Sequence, residues 1–514
     1  MSKQVYEHHL SFLLQDIVAA DLLSSFTKPC IINALTLDSR DVQAGSLFVA
    51  LSGSCRHGLE FALTAEKQGA AAIIWEADED YCKPDVAIPC IKIDDLRQHL
   101  GIIANRFYAE PSKQLDMIGV TGTDGKTTVT HFIAQAFNTT ANVAAVIGTL
   151  GIGRPNAVIE TGYTTPDVLS VHQALVRLKQ QQLAHIAMEV SSHALDQGRV
   201  NGVAFDVVVL TNLTRDHLDY HQTVDAYAAA KAKLFAWPTA KTLVLNLDDE
   251  FGVRLVNEHQ VRVNTGEIKI IGYGVGNAAD YPVGSLIASN PRYTMQGIQA
   301  TIHFHQQVTH LDVPVLGAFN LYNILAAAGS LVGLGMSLKE ALTRLGNVDT
   351  VAGRMETIVN DQGILVVVDY AHTPGALEQA LQAIRKHTTN RLICVFGCGG
   401  DRDRGKRPLM ARIAEQNADM VILTDDNPRN EMPFQIMNDM IQGLKSPEHV
   451  AMEHDRHKAI RFAIQSAAAG DTILIAGKGH ETVQIVRGET HQFDDREQAA
   501  MALRAQQDNK IQGV

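Results

Sequence analysis

Residues 115–137 decide the fold of this chain, and they read LDMIGV, then TGTDGKTT, then VTHFIAQAF. The apolar run predicts a buried strand, the glycine-rich stretch predicts a tight turn, and the last stretch predicts a helix. Backbone N–H groups of such a turn can hold phosphates, a lysine adds a positive charge and a threonine hydroxyl can bind magnesium. We therefore predict an ATP site here, although the spacing departs from G-x-x-x-x-G-K-[ST] because Val120 lies five positions before Gly125.

Length and composition limit the classes of protein that fit. The 514 residues are too many for one ordinary core and suggest roughly three domains. Hydrophobic residues make up 46% and charged residues 19%, which is typical of folded cores rather than disorder. The formal net charge of -12 gives no positive field for a phosphate backbone, so we expect no nucleic-acid partner.

Neither a metal-binding cysteine cluster nor a targeting segment is visible. The six cysteines form no C-x-x-C pair, which argues against structural zinc and a redox disulfide. The first ten residues lack the regions of an export signal, so we expect a cytoplasmic protein. Residues 316–336 carry no charge and approach the length of a membrane span, but their polar residues and four glycines favour a buried helix. We expect no membrane insertion and a soluble monomer.

The pattern of strands and helices divides the chain into three α/β domains. Residues 1–111 alternate short apolar runs with helix-like stretches. Residues 112–350 predict a mostly parallel sheet covered on both faces, with a Thr165–Pro166 helix start and an antiparallel hairpin near 298–304. Residues 351–514 hold four strand-then-loop units of a Rossmann-like domain, whose polar loops should gather at one sheet edge and bind ligands.

Two further polar stretches are candidates for metal binding. Glu189 lies near the end of an apolar strand, where a carboxylate can bind magnesium close to Thr127. The alternative is a glutamate that faces water. Residues 211–221 hold two histidines and two aspartates, which can contact a hard metal ion or phosphate. The alternative is an ordinary polar surface loop.

Taken together, these motifs resemble the Mur ligase family. The resemblance covers essentially the whole chain, through residues 121–128, 188–193, 211–221, 229–231, 317–323, 353–356 and 369–373. The segments GGDR (399–402), DNPR (426–429) and GKGHE (477–481) are similar to those Mur ligases that add meso-diaminopimelate to UDP-N-acetylmuramoyl-L-alanyl-D-glutamate. The resemblance implies a UDP-sugar-binding domain at 1–111, a P-loop ATPase domain at 112–350 and an amino-acid-binding domain at 351–514.

The reaction implied by the resemblance is an ATP-dependent amide ligation in peptidoglycan precursor synthesis. The side-chain carboxylate of D-glutamate becomes an acyl phosphate, and the amine of diaminopimelate displaces phosphate. Phosphorylation supplies a leaving group to a poor electrophile, while magnesium offsets the crowded negative charge. The resemblance assigns the transferring phosphate to Lys126, one magnesium ion to Thr127 and Glu189, and a second to His217 and a carbamylated Lys231. Without the resemblance, Lys231 would be an ordinary lysine of an amphipathic helix.

The resemblance also implies three sets of binding residues. ATP would contact Gly122, Thr123, Asp124, Gly125, Lys126, Thr127, Thr128, Asn320, Asn323, Arg354, Asp369 and His372. The UDP-sugar peptide would contact Leu37, Ser39, Thr164, Thr165, Ser191, Gln197 and Arg199. Diaminopimelate would contact Arg402, Asp426, Asn427, Pro428, Arg429, Gly477 and Glu481. Asn323 could instead form hydrogen bonds within a helix, and His372 within a turn. Arg429 could instead be a surface arginine.

Substrate choice and two departures from the family leave alternatives open. Diaminopimelate has a distal carboxylate and ammonium that lysine partly lacks, and Arg402, Arg429 and Glu481 supply the matching charges. The alternatives are the same reaction with L-lysine, or a catalytically weak nucleotide-binding regulator. Asp124 suggests the regulator, because the family usually has asparagine there and a carboxylate repels phosphates. The second departure is GSCRHG (53–58), where the family often has an aspartate before the last glycine.

Overall fold

The computed structural model describes residues 6–24, 29–53, 56–138, 141 and 143–512. These residues form two compact units. The first consists of Met1–Tyr273 and Ala326–Ala341, and the second of Gly274–Leu325 and Leu342–Val514. Residues 54 and 55, within the second departure from the family, lie outside the described part of the chain.

The first unit begins with a small parallel sheet. An antiparallel pair, β1 (His8–His9) and β2 (Ile31–Ile32), precedes it. The sheet has the order β3 (Ala34–Thr36), β4 (Ser46–Ala50), β5 (Ala72–Glu76) and β6 (Cys90–Ile93), and all its pairs are parallel. The helices are α1 (Leu10–Leu13), α2 (Ala20–Ser24), α3 (Ala62–Lys67) and α4 (Leu96–Phe107). Leu100 and Ile103 share a core with Val168 and Leu169, so this sheet packs against the start of a later helix.

A larger sheet follows in the first unit. Its strands are β7 (Asp116–Thr121), β8 (Ala144–Gly148), β9 (Gly151–Arg154), β10 (Ala157–Ile159), β11 (His185–Glu189), β12 (Val207–Leu210), β13 (Thr242–Asn246) and β14 (Lys269–Val275). Their spatial order is β10-β9-β8-β11-β7-β12-β13-β14, and the pairs β8–β9 and β9–β10 are antiparallel whereas the others from β8 to β14 are parallel. The predicted mostly parallel sheet is confirmed. Its strands are nearly continuous apolar runs, as expected for strands buried on both faces.

The register of this sheet sets the position of the site. Glu189 pairs with Val120, and Leu210 pairs with Thr121. The loops after β7, β11 and β12 therefore leave the same edge of the sheet. The helices are α5 (Lys126–Phe137), α6 (Val168–Gln180), α7 (Ser192–Asp196), α8 (Leu218–His221), α9 (Val224–Phe235), α10 (Glu250–Glu258) and α11 (Gln260–Asn264).

The predicted start of α6 is wrong. The N-cap is Asp167, whose carboxylate accepts hydrogen bonds from the backbone N–H groups of Leu169 and Ser170. Thr165 instead donates its hydroxyl to the backbone carbonyl of Glu189 at 2.9 Å. The backbone of Asp167 is extended, so the helix begins after it, and its carboxylate accepts hydrogen bonds from N–H groups that have no partner within the helix.

The second unit contains an antiparallel meander and a Rossmann-like sheet. The meander is β15 (Leu286–Thr294), β16 (Gly297–Phe304) and β17 (Gln307–Val313). The second sheet has the order β18 (Glu356–Ile358), β19 (Leu365–Asp369), β23 (Thr472–Ala476), β20 (Leu392–Phe396), β21 (Met420–Leu423) and β22 (Ala451–Met452), parallel except for β18. A hairpin of β24 (Val483–Val486) and β25 (Glu489–Gln492) follows. Asp369 and Phe396 both pair with Ala476, so the predicted polar loops do gather at one edge.

Seven further helices complete the described chain, and the first of them tests the prediction for residues 316–336. They are α12 (Ala318–Gly333), α13 (Leu338–Leu345), α14 (Pro374–Arg385), α15 (Lys406–Asn417), α16 (Pro433–Ile441), α17 (Arg456–Ser466) and α18 (Asp495–Gln512). Helix α12 is largely buried and ends at Gly333, as expected. In the part of the chain that the structure describes, no helix has the length and apolar character needed to cross a bilayer.

Candidate active site

The glycine-rich loop after β7 depends on two glycines with positive φ. Gly122 has φ 152° and Gly125 has φ 83°. A Cβ at Gly122 would lie 1.8 Å from the hydroxyl oxygen of Thr211, so no larger residue fits there. The loop after β12 supports this turn, because Asn212 accepts hydrogen bonds from the backbone N–H groups of Thr123 and Asp124 at 3.0 and 2.9 Å. Helix α5 then begins at Lys126 and directs its first N–H groups toward this loop.

Lys126 brings a positive charge into the loop. Its ammonium donates hydrogen bonds of 2.8 Å to the backbone carbonyls of Gly122 and Thr123. Desolvation by the surrounding protein lowers the pKa of Lys126, and the nearby Glu189 carboxylate opposes that shift. The ammonium is therefore held against the turn in which we predict the ATP phosphates.

Glu189 is buried and linked to the loop. Only 1% of the residue is exposed, so the alternative of a glutamate facing water is wrong. Its carboxylate accepts hydrogen bonds from the Thr127 hydroxyl at 2.9 Å, the Thr149 N–H at 2.9 Å and the Thr149 hydroxyl at 3.1 Å. Burial raises the pKa of Glu189, and these hydrogen bonds oppose the rise. A Cβ at Gly148 would lie 2.2 Å from Oε1, so glycine leaves the space that the carboxylate occupies.

Lys231 lies in α9 and is also buried, with 1% of the residue exposed. Its amine donates a 2.7 Å hydrogen bond to the Gly122 carbonyl and lies 4.5 Å from the centre of the Tyr227 ring. Burial lowers the pKa of Lys231 far below its ordinary value, and the charge of Lys126 lowers it further. The alternative of a lysine on the exposed face of a helix is therefore wrong.

His217 contacts a carboxylate and a second histidine. Its ring is 3.4 Å from the Asp216 carboxylate and packs edge-on against His193, with 4.9 Å between ring centres. Its side chain is 45% exposed. Among the described residues, no group of three or more histidine, cysteine, aspartate or glutamate side chains has the geometry of a metal site. The role of His217 as a metal ligand stays a prediction.

A cavity of about 270 Å³ lies between the small sheet and the start of α6. It is lined by Leu37, Leu51, Arg97, Leu100, Tyr163, Asp167, Val168, Gln197 and Arg199. Three of these, Leu37, Gln197 and Arg199, are residues that we predicted for the UDP-sugar peptide. Arg199 donates to the Gln197 side chain at 2.6 and 2.9 Å and to the Thr165 carbonyl at 3.0 Å.

The other residues predicted for this substrate connect the cavity to Glu189. The hydroxyl oxygens of Thr149 and Thr164 lie 3.1 Å apart, and the Ser191 N–H donates to the Thr165 hydroxyl at 3.2 Å. Ser39 is buried in a short 3-10 turn, Ser39–Asp41. Thr149 therefore links Thr164 to the Glu189 carboxylate, and Thr165 links Ser191 to the Glu189 backbone carbonyl.

In the second unit, three of the residues predicted for the nucleotide surround Tyr370. The Arg354 guanidinium lies 5.0 Å from the centre of its ring, and His372 Nδ1 lies 2.8 Å from its carbonyl oxygen. Asp369 is buried, accepts hydrogen bonds from the N–H groups of Met355 and Ala371 at 2.8 Å, and has its pKa raised by burial. These three polar side chains form one cluster at the end of β19.

Asn320 and Asn323 form a separate pair in α12. The Asn323 amide donates to Asn320 at 2.9 Å, and the Asn320 amide donates to the Leu316 carbonyl at 2.7 Å. These are the helix-type hydrogen bonds that we considered as an alternative for Asn323. The structure shows no contact between this pair and the Tyr370 cluster among the hydrogen bonds of the described residues.

The residues predicted for diaminopimelate lie in neighbouring loops of the second unit. The Asn427 amide donates to the Glu481 carboxylate at 2.9 Å. Arg429 donates to the Gly400 carbonyl at 2.9 Å and forms no ion pair with a described carboxylate, so it is not a surface salt bridge. Arg402 is exposed and, among the described residues, donates only to the Asp401 carbonyl, at 3.1 Å. Asp426 and Asn427 are buried, and Gly477 has φ 119°.

Comparison with known proteins identifies the family. Family models match in chain order: the Mur ligase family catalytic domain at residues 31–108, the Mur ligase middle domain at 120–331, and the Mur ligase glutamate ligase domain at 353–479. A Pseudomonas aeruginosa relative, UDP-N-acetylmuramoyl-L-alanyl-D-glutamate--2,6-diaminopimelate ligase, is 46% identical over 475 residues, which cover 92% of this chain and 96% of the relative. This chain belongs to the Mur ligase family.

Other Mur ligases agree with this assignment. A Xanthomonas campestris protein of the same name is 45% identical over 498 residues, or 96% of this chain and 97% of the relative. A solved structure of such a ligase is 38% identical, has a TM-score of 0.74, and covers 93% of this chain and 96% of its own. MurF from Acinetobacter baumannii, at 19% identity and a TM-score of 0.56, shares the fold over 87% of this chain and 90% of its own. The predicted three-domain α/β fold of the Mur ligases is confirmed.

Several residues of this Mur ligase were missed by the sequence analysis. Thr149 donates two hydrogen bonds to Glu189, and Tyr227 packs against Lys231. Arg97 lines the cavity and is held by Glu76 at 2.9 Å. No local motif marks Thr149 or Arg97, because their contacts join distant parts of the chain, whereas Tyr227 lies one helical turn from Lys231 and could have been found from that spacing.

Proposed function

We propose that this Mur ligase joins meso-diaminopimelate to UDP-N-acetylmuramoyl-L-alanyl-D-glutamate and converts ATP to ADP and phosphate, a step of peptidoglycan precursor synthesis. The observation that carries the proposal is the 2.9 Å hydrogen bond from Thr127 to the buried Glu189, which joins the phosphate loop to a carboxylate at the same sheet edge. Relatives that bear the name of this ligase are 45–46% identical over more than nine-tenths of the chain.

The reaction has two steps. A carboxylate oxygen of D-glutamate attacks the γ-phosphorus of ATP, the bond to the ADP oxygen breaks, and an acyl phosphate forms. The amine of diaminopimelate then attacks the acyl carbon, phosphate leaves, and the new amide nitrogen loses a proton. Charge moves onto the phosphate oxygens in the first step, so fixed positive groups around them lower the barrier. Lys126 and the N–H groups that begin α5 supply such groups.

The oxygen ligands at Glu189 suit magnesium. A threonine hydroxyl and a carboxylate are the hard ligands that this ion prefers, and Thr127 and Glu189 already lie 2.9 Å apart. Magnesium, when bound, neutralises part of the phosphate charge. Thr149 fixes the carboxylate from a second direction, so Glu189 keeps its orientation. Thr127 and Glu189 would hold one ion, and His217 with Lys231 a second.

The buried amine of Lys231 suits carbamylation. Only an unprotonated amine adds to carbon dioxide, and burial favours that form in Lys231. In this reaction a nitrogen–carbon bond forms and a proton leaves, which turns the neutral amine into an anion. The carbamate is part of our proposal, and its expected partner is magnesium.

Each substrate has a proposed location. The 270 Å³ cavity would hold part of the UDP-sugar peptide, with polar groups from Arg199 and Gln197 and an apolar surface from Leu37. The ATP base and ribose would contact the Tyr370 cluster and the asparagine pair of α12. Diaminopimelate would contact the 426–429 and 477–481 loops, with Arg402 and Arg429 on its distal carboxylate. The monomeric state remains a prediction that sedimentation would test.

The test is phosphate release by the purified protein with ATP, magnesium and the UDP-muramoyl dipeptide, comparing meso-diaminopimelate with L-lysine. We expect release with diaminopimelate and at least tenfold less with lysine. Reactions that lack the dipeptide are the control for ordinary ATP hydrolysis. Equal release with lysine would keep the reaction and overturn the amino-acid assignment. ATP binding without release for either amine would favour the nucleotide-binding regulator.

A further inference from the structure

A buried lysine links the two loops that we assign to diaminopimelate. Lys478 is 0% exposed, and its ammonium lies 3.2 Å from Asn427 Oδ1, 3.2 Å from Glu481 Oε2 and 3.6 Å from Asp426 Oδ1. A buried ammonium is costly unless polar groups surround it, and these three oxygens meet that need. Neither the motif analysis nor the family resemblance gave Lys478 a role.

Lys478 follows β23 at the edge of the sheet where the two diaminopimelate loops begin. The 426–429 loop follows β21 and the 477–481 loop follows β23, and strand β20 lies between these two strands. Backbone hydrogen bonds join Arg429 to Ile485 and Arg487, so the 426–429 loop is held against β24, which follows the 477–481 loop. Lys478 and the bond from Asn427 to Glu481 add the side-chain connection that reaches the Glu481 carboxylate itself.

The hydrogen bonds decide which atoms stay available to a substrate. Glu481 Oε2 accepts from both Asn427 and Lys478, whereas Oε1 has no hydrogen bond from any residue that the structure describes. Asn427 Oδ1 accepts from Lys478 and from the Ile485 N–H, which fixes the amide orientation. Lys478 is surrounded by its protein partners and is fully buried, so it cannot contact the substrate itself. Glu481 Oε1 is free to accept a hydrogen bond from an ammonium group.

The charges lead to the same assignment. Asp426 and Glu481 carry two negative charges, and Lys478 supplies one positive charge to both. The cluster keeps one negative charge, which matches the single distal ammonium of diaminopimelate. Without Lys478, two carboxylates would repel each other in a buried site and Glu481 would lose its fixed orientation.

We propose that Lys478 is a positioning residue that holds Glu481 and Asn427 for recognition of the distal ammonium of diaminopimelate. The inference rests on the proposed function, because that function assigns these loops to the amino-acid substrate. Its consequence is selectivity for an amine that carries both a distal ammonium and a distal carboxylate. A purely structural lysine would support the domain without distinguishing between amines.

The test compares meso-diaminopimelate with 2-aminopimelate, which keeps the distal carboxylate and lacks the distal ammonium. In Lys478→Met we expect the KM for meso-diaminopimelate to rise at least tenfold, while the KM for 2-aminopimelate changes less than threefold. The KM for ATP and for the UDP-muramoyl dipeptide should stay within twofold of the wild type. Lys458→Met, which changes an exposed lysine of α17, is the matched control.

A second variant keeps the test decisive if Lys478→Met does not fold. Lys478→Arg keeps the charge but lengthens the side chain, so it should displace Glu481 and also raise the KM for meso-diaminopimelate more than that for 2-aminopimelate. Equal changes for the two amines, or no change, would overturn the inference. If the wild-type enzyme itself does not use meso-diaminopimelate, the proposed function fails instead, so the two failures are distinguishable.

Discussion

The Thr127 hydroxyl donates a 2.9 Å hydrogen bond to the carboxylate of Glu189, although the two residues are 62 positions apart in sequence. Strands β7 and β11 are neighbours in register, which brings the first turn of α5 to the end of β11. The glycine-rich turn in which we predict the phosphates and a buried carboxylate thus share one sheet edge.

Replacing Glu189 with glutamine should nearly abolish turnover. Glutamine keeps the size of the side chain but removes the charge that we assign to magnesium binding, so we expect kcat to fall at least ~100-fold. The measurement is phosphate release across a magnesium titration. Thr149→Val is the graded comparison, because it removes one of three hydrogen bonds to Glu189 and should reduce kcat less than about tenfold. A Glu189→Gln enzyme with more than a tenth of wild-type kcat would contradict the assignment.

The buried amine of Lys231 should make stability depend on pH. Its pKa is lowered in the folded state, so between that lowered pKa and the ordinary value of about 10.4 the unfolded chain binds more protons. The contribution of Lys231 to the free energy of unfolding therefore rises with pH through this window. Below the lowered pKa the penalty for burying its charge is complete.

The measurement is urea unfolding of the wild type and Lys231→Met at several pH values in buffer free of carbon dioxide. We expect the stability advantage of Lys231→Met to be largest at low pH and to shrink as pH rises. Lys126 is present in both proteins and its charge contributes to the lowered pKa of Lys231, so the difference between the two curves reports Lys231 together with its interaction with Lys126. Parallel pH curves for the two proteins would contradict the prediction.

Asp124 should weaken ATP binding. Its carboxylate is exposed beside the phosphate loop, and Asp124→Asn removes a negative charge near the place where we expect the phosphates. We expect the KM for ATP to fall about two- to fivefold, and the gain to shrink at high salt because exposed charges are screened. Asp80→Asn, another exposed aspartate, is the control. An unchanged or higher KM for ATP in Asp124→Asn would show that the carboxylate does not repel the nucleotide.

Arg429 should select the distal carboxylate of the amino acid. Arg429→Ala removes a guanidinium that has no carboxylate partner in the described chain, so we expect kcat/KM for meso-diaminopimelate to fall ~10- to 100-fold. The value for L-lysine, which has no distal carboxylate, should change less than threefold. Arg412→Ala, in the exposed part of α15, controls for loss of a surface charge. Equal losses with both amines would assign Arg429 to loop structure instead.

Much of the fold follows from local sequence patterns. The stretch 115–137 predicted β7 and α5 correctly. An apolar run indicates a buried strand, glycines indicate the turn, and the spacing of apolar residues after the turn indicates a helix. The prediction of where α6 starts was wrong for a local reason. Both Thr165 and Asp167 are N-cap residue types, and only the backbone geometry decides between them.

The candidate site was less predictable than the fold. The sequence left Glu189 and Lys231 open between buried and exposed positions, because burial depends on which distant segments pack over them. Thr149 and Lys478 were missed for the same reason. Their partners are 40 and 51 positions away, and only the sheet order brings them together.

Gly148 adds a consequence for how this enzyme can vary. Any side chain there would begin with an atom 2.2 Å from the Glu189 carboxylate, and the carboxylate has no room to retreat because it is buried and held by Thr127 and Thr149. Replacement by a larger residue should therefore displace the carboxylate and lower activity, even though glycine has no chemical role. An inhibitor that binds against this backbone would contact a position where substitution itself costs activity.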